Sequence, residues 1–417
     1  MAAALLRAGC IEEVRDYVRW YARQQAGDGT IPCCVDRDGP DWLAEYDSQG
    51  EFIYAVMEYF RFSADRAFLI EMWPVVTRSV DRIESLRSQR LTPEFRNPGK
   101  RACYGLLPES VSHEGYMAHP VHAYWDDFWT LRGLQDAATM AQVLADTEQA
   151  VRMTALRDSF HETLYASIES TMSARKLDYI PASVELGDID PAATANAVGM
   201  LDLARAMPAA ALERTFDEYL SNFRMRRSGE IDWINYSPYE MRIIGALVRL
   251  GRRESAFELA QFFLGDRRPS AWNQWPEIAW RDPRSPAHIG DMPHTWIAAE
   301  FVLAFRSMLA FERELDDALV LFAGVPAGWL ASDDGIAVDA LPTWYGTFGF
   351  AMRRAGDAVD IDLTPRGNAA VPPGGIIVRP PVESPLRAVV VNGKPIARFS
   401  GVEATIEQVP AKVRMMC

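Results

Sequence analysis

WDDFWTLRGLQDAATMAQVL (125–144) passes through the short turn LADTEQA into a second, more charged helix at 146–174. The first segment is apolar on almost every side, and such a helix is buried. The second carries its apolar residues on one face, as a helix on the outside of a core does. The same pairing recurs along the first three quarters of the chain. Mostly apolar helices are expected at 2–8, 50–62, 125–144, 192–207, 238–251 and 297–311. Amphipathic ones are expected at 11–24, 65–89, 146–174, 210–224 and 253–264, with Val14, Val18 and Tyr21 marking one such stripe.

The connections are asymmetric. From apolar to charged helix the turns are short (RAGCIEE, FSADRAF, LADTEQA, LGRRESA). The returns, 25–49, 90–124, 175–191, 225–237 and 265–296, are long and rich in Trp, Tyr, Asp and Glu. Buried helices ringed by outer ones, with all long loops on one face, describe a mainly α toroid of helical hairpins with a pocket on the loop face. An α-solenoid would need a fixed repeat period, and none recurs. The chain starts inside its first apolar helix, leaving five outer helices for six inner ones, so an N-terminal extension in the natural protein is expected.

From about 318 the pattern changes to short alternating runs, GIAVDAL, GTFGFAMRR, AVDIDL, GIIVRP and RAVVVNG, separated by RAGD, RGN, PPGG and NGKP. These predict a C-terminal antiparallel β-sandwich-like domain. The expected division is therefore a helical catalytic domain at 1–315 and a supporting β-domain at 318–417.

The 417 residues carry a formal net charge of −14, which argues against a nucleic-acid partner and suits a neutral ligand. No apolar run reaches the ~18–20 residues of a membrane span. MAAALLRAG lacks the marks of a signal peptide. Five cysteines, Cys10, Cys33, Cys34, Cys103 and Cys417, show no framework spacing, so a reduced, cytoplasmic chain is expected. The adjacent Cys33 and Cys34 match no metal motif and read as two small buried residues.

Carboxylates in aromatic company mark four places on the long loops. In Glu45-Tyr46-Asp47-Ser48, Asp47 or Ser48 has N-cap character, and Glu51 completes a capping box that accounts for much of the pattern. Glu109 lies in a loop with His113, His119 and His122; three histidines suggest zinc, but their spacing fits no standard site, and no metal is expected. Asp126 and Asp127 begin a helix, where the dipole alone favours acids. Yet Trp125 and Trp129 flank them, and an apolar wall raises a carboxyl pKa as a general acid requires. Glu277 is framed by Trp272, Trp275 and Trp280, with His288 and His294 close in sequence. Asp188, Asp190, Trp233, Tyr236 and Glu240 are smaller contributors. No nucleophile elbow, phosphate loop, dinucleotide fingerprint or Cys–His pattern accompanies them, and no cofactor is expected. Carboxylates and aromatics around one pocket suit glycoside cleavage, in which one acid protonates the leaving oxygen and a second activates water.

At this point the chain resembles the six-hairpin, (α/α)6-barrel glycosidases, the group of trehalases, glucoamylases and α-L-rhamnosidases. Trp275-Pro276-Glu277, then HIGDMPHTWIAAEF, then VPAGWL and GIAVDALPTWYGTFGFAMR, is similar to the end of an α-L-rhamnosidase. The resemblance implies a general base at Glu277, a His opening the last inner helix, and a β-sandwich after it. AYWDDFW is similar to the motif that carries the general acid in trehalase-like enzymes, which implies Asp126 or Asp127. In rhamnosidases an acid-rich loop precedes the first inner helix, and this chain starts after that point.

The expected activity is an inverting glycosidase with Glu277 as base, Asp126 or Asp127 as acid and Glu109 in reserve. Trp125, Trp272, Trp275, Trp233, Tyr236, His294 and Asp47 would bind an oligosaccharide or glycoside. Two rivals stand beside it. One is a sugar epimerase or polysaccharide lyase using His294, His122 or Tyr236; the other is a non-catalytic carbohydrate-binding fragment.

Overall fold

The computed structural model describes residues 1–113, 115–285, 292–332 and 334–417. His288 therefore lies outside the described residues. By contacts the chain forms two compact units, Ile11–Glu230 and a second made of Ala3–Cys10 with Ile231–Cys417.

In the first unit, α2 (Ile11–Ala22) leads through the two-stranded ribbon β1 (Cys34–Asp36) and β2 (Gly39–Asp41) to α3 (Ser48–Ser63). Then follow α4 (Arg66–Ser88), α5 (Tyr124–Leu144), α6 (Thr147–Arg175), α7 (Pro191–Gly199) and α8 (Ala209–Ser228). The apolar helices are the buried ones, as the pattern requires: α5 is inaccessible over most of its length. α6 buries Met153, Leu156, Phe160, Leu164 and Ile168, one stripe at helical spacing. Each buried helix packs on the next, α3 against α5 and α5 against α7. The α3–α5 crossing is set by glycines. A Cβ on Gly50 would lie 2.2 Å from the Trp129 carbonyl oxygen, and one on Gly133 would lie 2.8 Å from the Gly50 Cα. No larger residue fits there.

α7 is shorter than the apolar run of 192–207 suggests. It stops at Gly199, and Leu201 turns back to donate its N–H to the Asn196 carbonyl before Asp202 adopts a left-handed φ of 56°. Similarly, 238–241 is a 3-10 turn capped by Ser237 that feeds the α-helix behind it.

The second unit contains α1 (Ala2–Arg7), β3 (Asn235–Tyr236), α9 (Arg242–Arg249), α10 (Arg253–Gly265), β4 (Ala279–Trp280) and α11 (Thr295–Leu309). α9 packs on both α10 and α11. α11 ends two residues before the expected 311, because Ala310 turns fully extended and starts a strand. That strand, β5 (Ala310–Arg313), pairs with β6 (Ala318–Leu321). Buried Arg306 of α11 donates to Glu312 at 2.7 Å, and Arg7 of α1 lies 3.7 Å from the same carboxylate.

Beyond them, β7 (Ile336–Thr343), β8 (Gly346–Ala355), β9 (Ala358–Arg366), β10 (Ile376–Val378) and β11 (Ala388–Val391) follow the five alternating runs. β12 (Lys394–Pro395), β13 (Ala404–Ile406) and β14 (Ala411–Met416) complete the domain. Two sheets result, ordered β13-β10-β6-β5 and β12-β11-β14-β9-β8-β7. Among the described residues all pairs are antiparallel except β10 with β6. Phe322, Phe348, Phe350, Met352, Ile361, Ile376, Val389 and Met415 are among the residues that fill one core between the sheets. Among the described residues no helix is long and apolar enough to cross a membrane.

Candidate active site

Asp47 occupies the N-cap position of α3, but its side chain caps nothing there. The capping box is thus not formed. Instead Asp47 Oδ2 accepts a 2.7 Å hydrogen bond from the Trp125 indole N–H, in the first turn of α5. Both residues are buried, and a polar group out of water needs such a partner.

Asp126 is 1 % exposed and is held from three directions. Its Oδ2 accepts from Ser110 Oγ at 2.6 Å and from the Tyr46 N–H at 3.2 Å, while Oδ1 accepts from Ser112 Oγ at 2.7 Å. Burial, and then the charge of Asp47, push the Asp126 carboxyl up to about 7. Burial also raises Asp47, against the pull of Trp125, His113 and Ser48. Both carboxyls thus lie above the ordinary range, and the charge of Asp47 adds to the raise of Asp126. Ser112 and His113 have φ of 36° and 29°, left-handed values that cost a non-glycine residue energy and recur at functional sites. His113 Nδ1 is 3.0 Å from Ser112 Oγ, and its ring lies 4.9 Å from that of Trp125.

Asp127 faces a different way. Its Oδ1 accepts from the Leu107 N–H at 3.1 Å in a fully buried setting, and desolvation holds its carboxyl well above the usual range. Glu109 is part of a polar chain with Arg90, His122 and Glu185. Arg90 donates to Glu109 and, through Nε, to His122 Nε2 at 3.0 Å. A guanidinium only donates, so Nε2 accepts, and the ring hydrogen sits on Nδ1, 2.6 Å from Glu185 Oε1. Glu109 is partly desolvated, but its backbone hydrogen bond, His122 and Arg90 outweigh that and hold its carboxyl below the usual range. Asp188 accepts from Tyr116 and Ser183, and Asp190 caps α7.

The second unit holds the other expected group. Glu277 is half-buried, and its backbone carbonyl accepts a 2.9 Å bond from Ser237 Oγ. Arg281, four residues on, pairs with Asp232. His294 precedes α11, with Nε2 3.1 Å from Tyr239 Oη. Arg242 lies 4.5 Å from the Tyr239 ring centre and 5.7 Å from that of Trp296, and is fixed by Glu300 at 2.7 Å. Trp272 is 61 % exposed, whereas Trp275 is buried against Phe301 and donates its indole N–H to the Phe263 carbonyl. Trp233 rests 5.9 Å from buried Tyr236. Tyr236 donates to Asp266, and burial with that carboxylate drives its hydroxyl far above an ordinary phenol.

Arg90, Ser110, Ser112, Glu185, Tyr239 and Arg242 escaped the sequence reading. The serines sit one and three residues after Glu109 and were legible only as loop residues.

No protein-family profile matches the chain, and no curated protein does. Solved structures do. The α-L-rhamnosidase of Dictyoglumus thermophilum superposes with a TM-score of 0.62 at 12% identity, covering 100% of this chain and 46% of that one. The Streptomyces avermitilis α-L-rhamnosidase complexed with L-rhamnose gives 0.55 at 13% identity, covering 100% and 38%. The chain shares their fold. It is an α/α toroid of helical hairpins followed by a mainly antiparallel β-domain, and it spans less than half the length of either protein.

Proposed function

We propose that this chain carries out glycoside hydrolysis with a carboxylate acid and a carboxylate base, inverting the anomeric centre. What supports the reading is the pair Asp47–Asp126 beside the Trp125 indole. A buried carboxyl raised to about 7 is still largely protonated where most carboxyls are ionised. It therefore has a proton to give to a leaving oxygen. Asp127, tied to the Leu107 backbone, has the character of a packing residue, and Glu109, held ionised by Arg90, cannot serve as acid.

Glu277 is assigned as the base that activates water. Arg242, Tyr239, His294 and Trp296 offer donors and an aromatic face to a sugar ring. The likeness to rhamnosidase folds makes a 6-deoxyhexose the first substrate to try. Tyr236 fits the lyase alternative poorly, since Asp266 and burial keep its proton on.

The test is hydrolysis of aryl α-L-rhamnosides and other aryl glycosides, with the product anomer followed by NMR. Asp126→Asn and Glu277→Gln should each lower kcat at least a hundredfold without loss of fold. Full activity in Glu277→Gln sinks its assignment. A product of unchanged mass or an unsaturated sugar selects the epimerase or lyase, and saccharide binding without turnover selects a binding module.

A further inference from the structure

The ribbon β1–β2 brings Asp41 beside the adjacent Cys33 and Cys34. Cys33 and Cys34 sulfurs lie 3.4 Å apart, and the antiparallel register sets Cys34 directly opposite Asp41. The two sulfurs and an Asp41 carboxylate oxygen all fall within 4.8 Å of one another. Cys34 is exposed and Cys33 half-buried, so the pair is not the buried packing that its sequence suggested.

We propose that Cys33, Cys34 and Asp41 form a binding site for a thiophilic divalent cation of the zinc class. With a zinc–sulfur bond of about 2.3 Å, two sulfurs 3.4 Å apart subtend about 95° at the ion, and a few tenths of an ångström would open this to the tetrahedral angle. The carboxylate supplies a third ligand, and water the fourth. The charge is complementary: CVDRDGPD (34–41) carries three Asp against one Arg. The ribbon also has a physical use for a cross-link. It is a two-stranded sheet with mostly exposed or half-exposed residues, and such hairpins are marginal by themselves. An ion bound by Cys33, Cys34 and Asp41 would bind β1 to β2 six residues ahead of Asp47, and binding energy would appear as order in that loop.

A second thiol group, Cys103 with His122 and Glu185, is also close-set. There Arg90 donates to His122 Nε2, so an ion on Nδ1 would force the ring hydrogen against that N–H.

The experiment is titration of the fully reduced chain with Zn2+ against a chromophoric chelator, with Co2+ absorption as a second readout of thiolate ligation. One ion per chain is expected, with a thiolate-to-cobalt charge-transfer band. Cys34→Ser should abolish both, and because Cys34 is exposed the fold should survive. Asp41→Asn should weaken binding at least tenfold. Absence of stoichiometric binding, binding that persists in Cys33→Ser and Cys34→Ser, or binding lost instead in Cys103→Ser would overturn the proposal. None of these outcomes depends on glycosidase activity.

Discussion

Replacing Asp126 by Asn removes a titration whose energetic size follows from the site. In the unfolded chain this carboxyl has its ordinary value of 3.8; in the folded chain burial and Asp47 raise it to about 7. The folded state thus binds the proton more tightly, so the extra stability is present in full below pH 4 and is lost as pH rises through 7. At 1.36 kcal/mol per unit, a raise of about three units is worth on the order of 4 kcal/mol. Asn cannot titrate, and it also loses acceptor capacity toward Ser110, Ser112 and the Tyr46 N–H. That loss is a constant offset across pH. Urea unfolding followed by the fluorescence of the 12 Trp, run at pH 4, 6 and 8, separates the two effects. The gap between wild type and Asp126→Asn should shift by about 4 kcal/mol toward the variant between pH 4 and pH 8. A gap that does not change with pH would refute the reasoning, because it would mean that the carboxyl titrates alike in both states.

Three further outcomes are expected. Arg90→Gln removes one of the groups that hold the Glu109 carboxyl low, so that carboxyl should move upward in pH by NMR titration, while an unmoved resonance would exclude the Arg90–Glu109 pairing. Glu312→Gln leaves Arg306 buried without its partner and should cost roughly 3–5 kcal/mol in denaturant melts. Gly50→Ala drives a methyl group into the Trp129 carbonyl and should cost on the order of 3 kcal/mol, whereas Ala at Gly27, which has open space around it, should be near neutral.

The helical order was readable because burial leaves a periodic trace. α5 and α6 differ in how far around the helix their apolar residues extend, and that alone separates inner from outer. Strands β5 and β6 were not readable: Phe311 continues the apolar run of α11, and only tertiary pairing decides where helix becomes strand. β13 has three residues, too few to show alternation. The site divides in the same way. Asp126 stood out through its tryptophan neighbours, while the role of Asp47 was concealed by a plausible capping box. Its true partner, Trp125, is 78 residues away along the chain. Arg90, Ser110 and Ser112 are ordinary loop residues until folding aims them at a carboxylate.

The contact of Gly50 with Trp129 and Gly133 has an engineering consequence. Asp47 stands one turn before Gly50, and Asp126 one turn before Trp129, so the acid pair is gauged by backbone touching backbone. Loop exchange on this scaffold that keeps Tyr46, Ser110 and Ser112, aimed at a new sugar or linkage, should therefore leave the acid pair in register. Redesign of the α3–α5 seam would not.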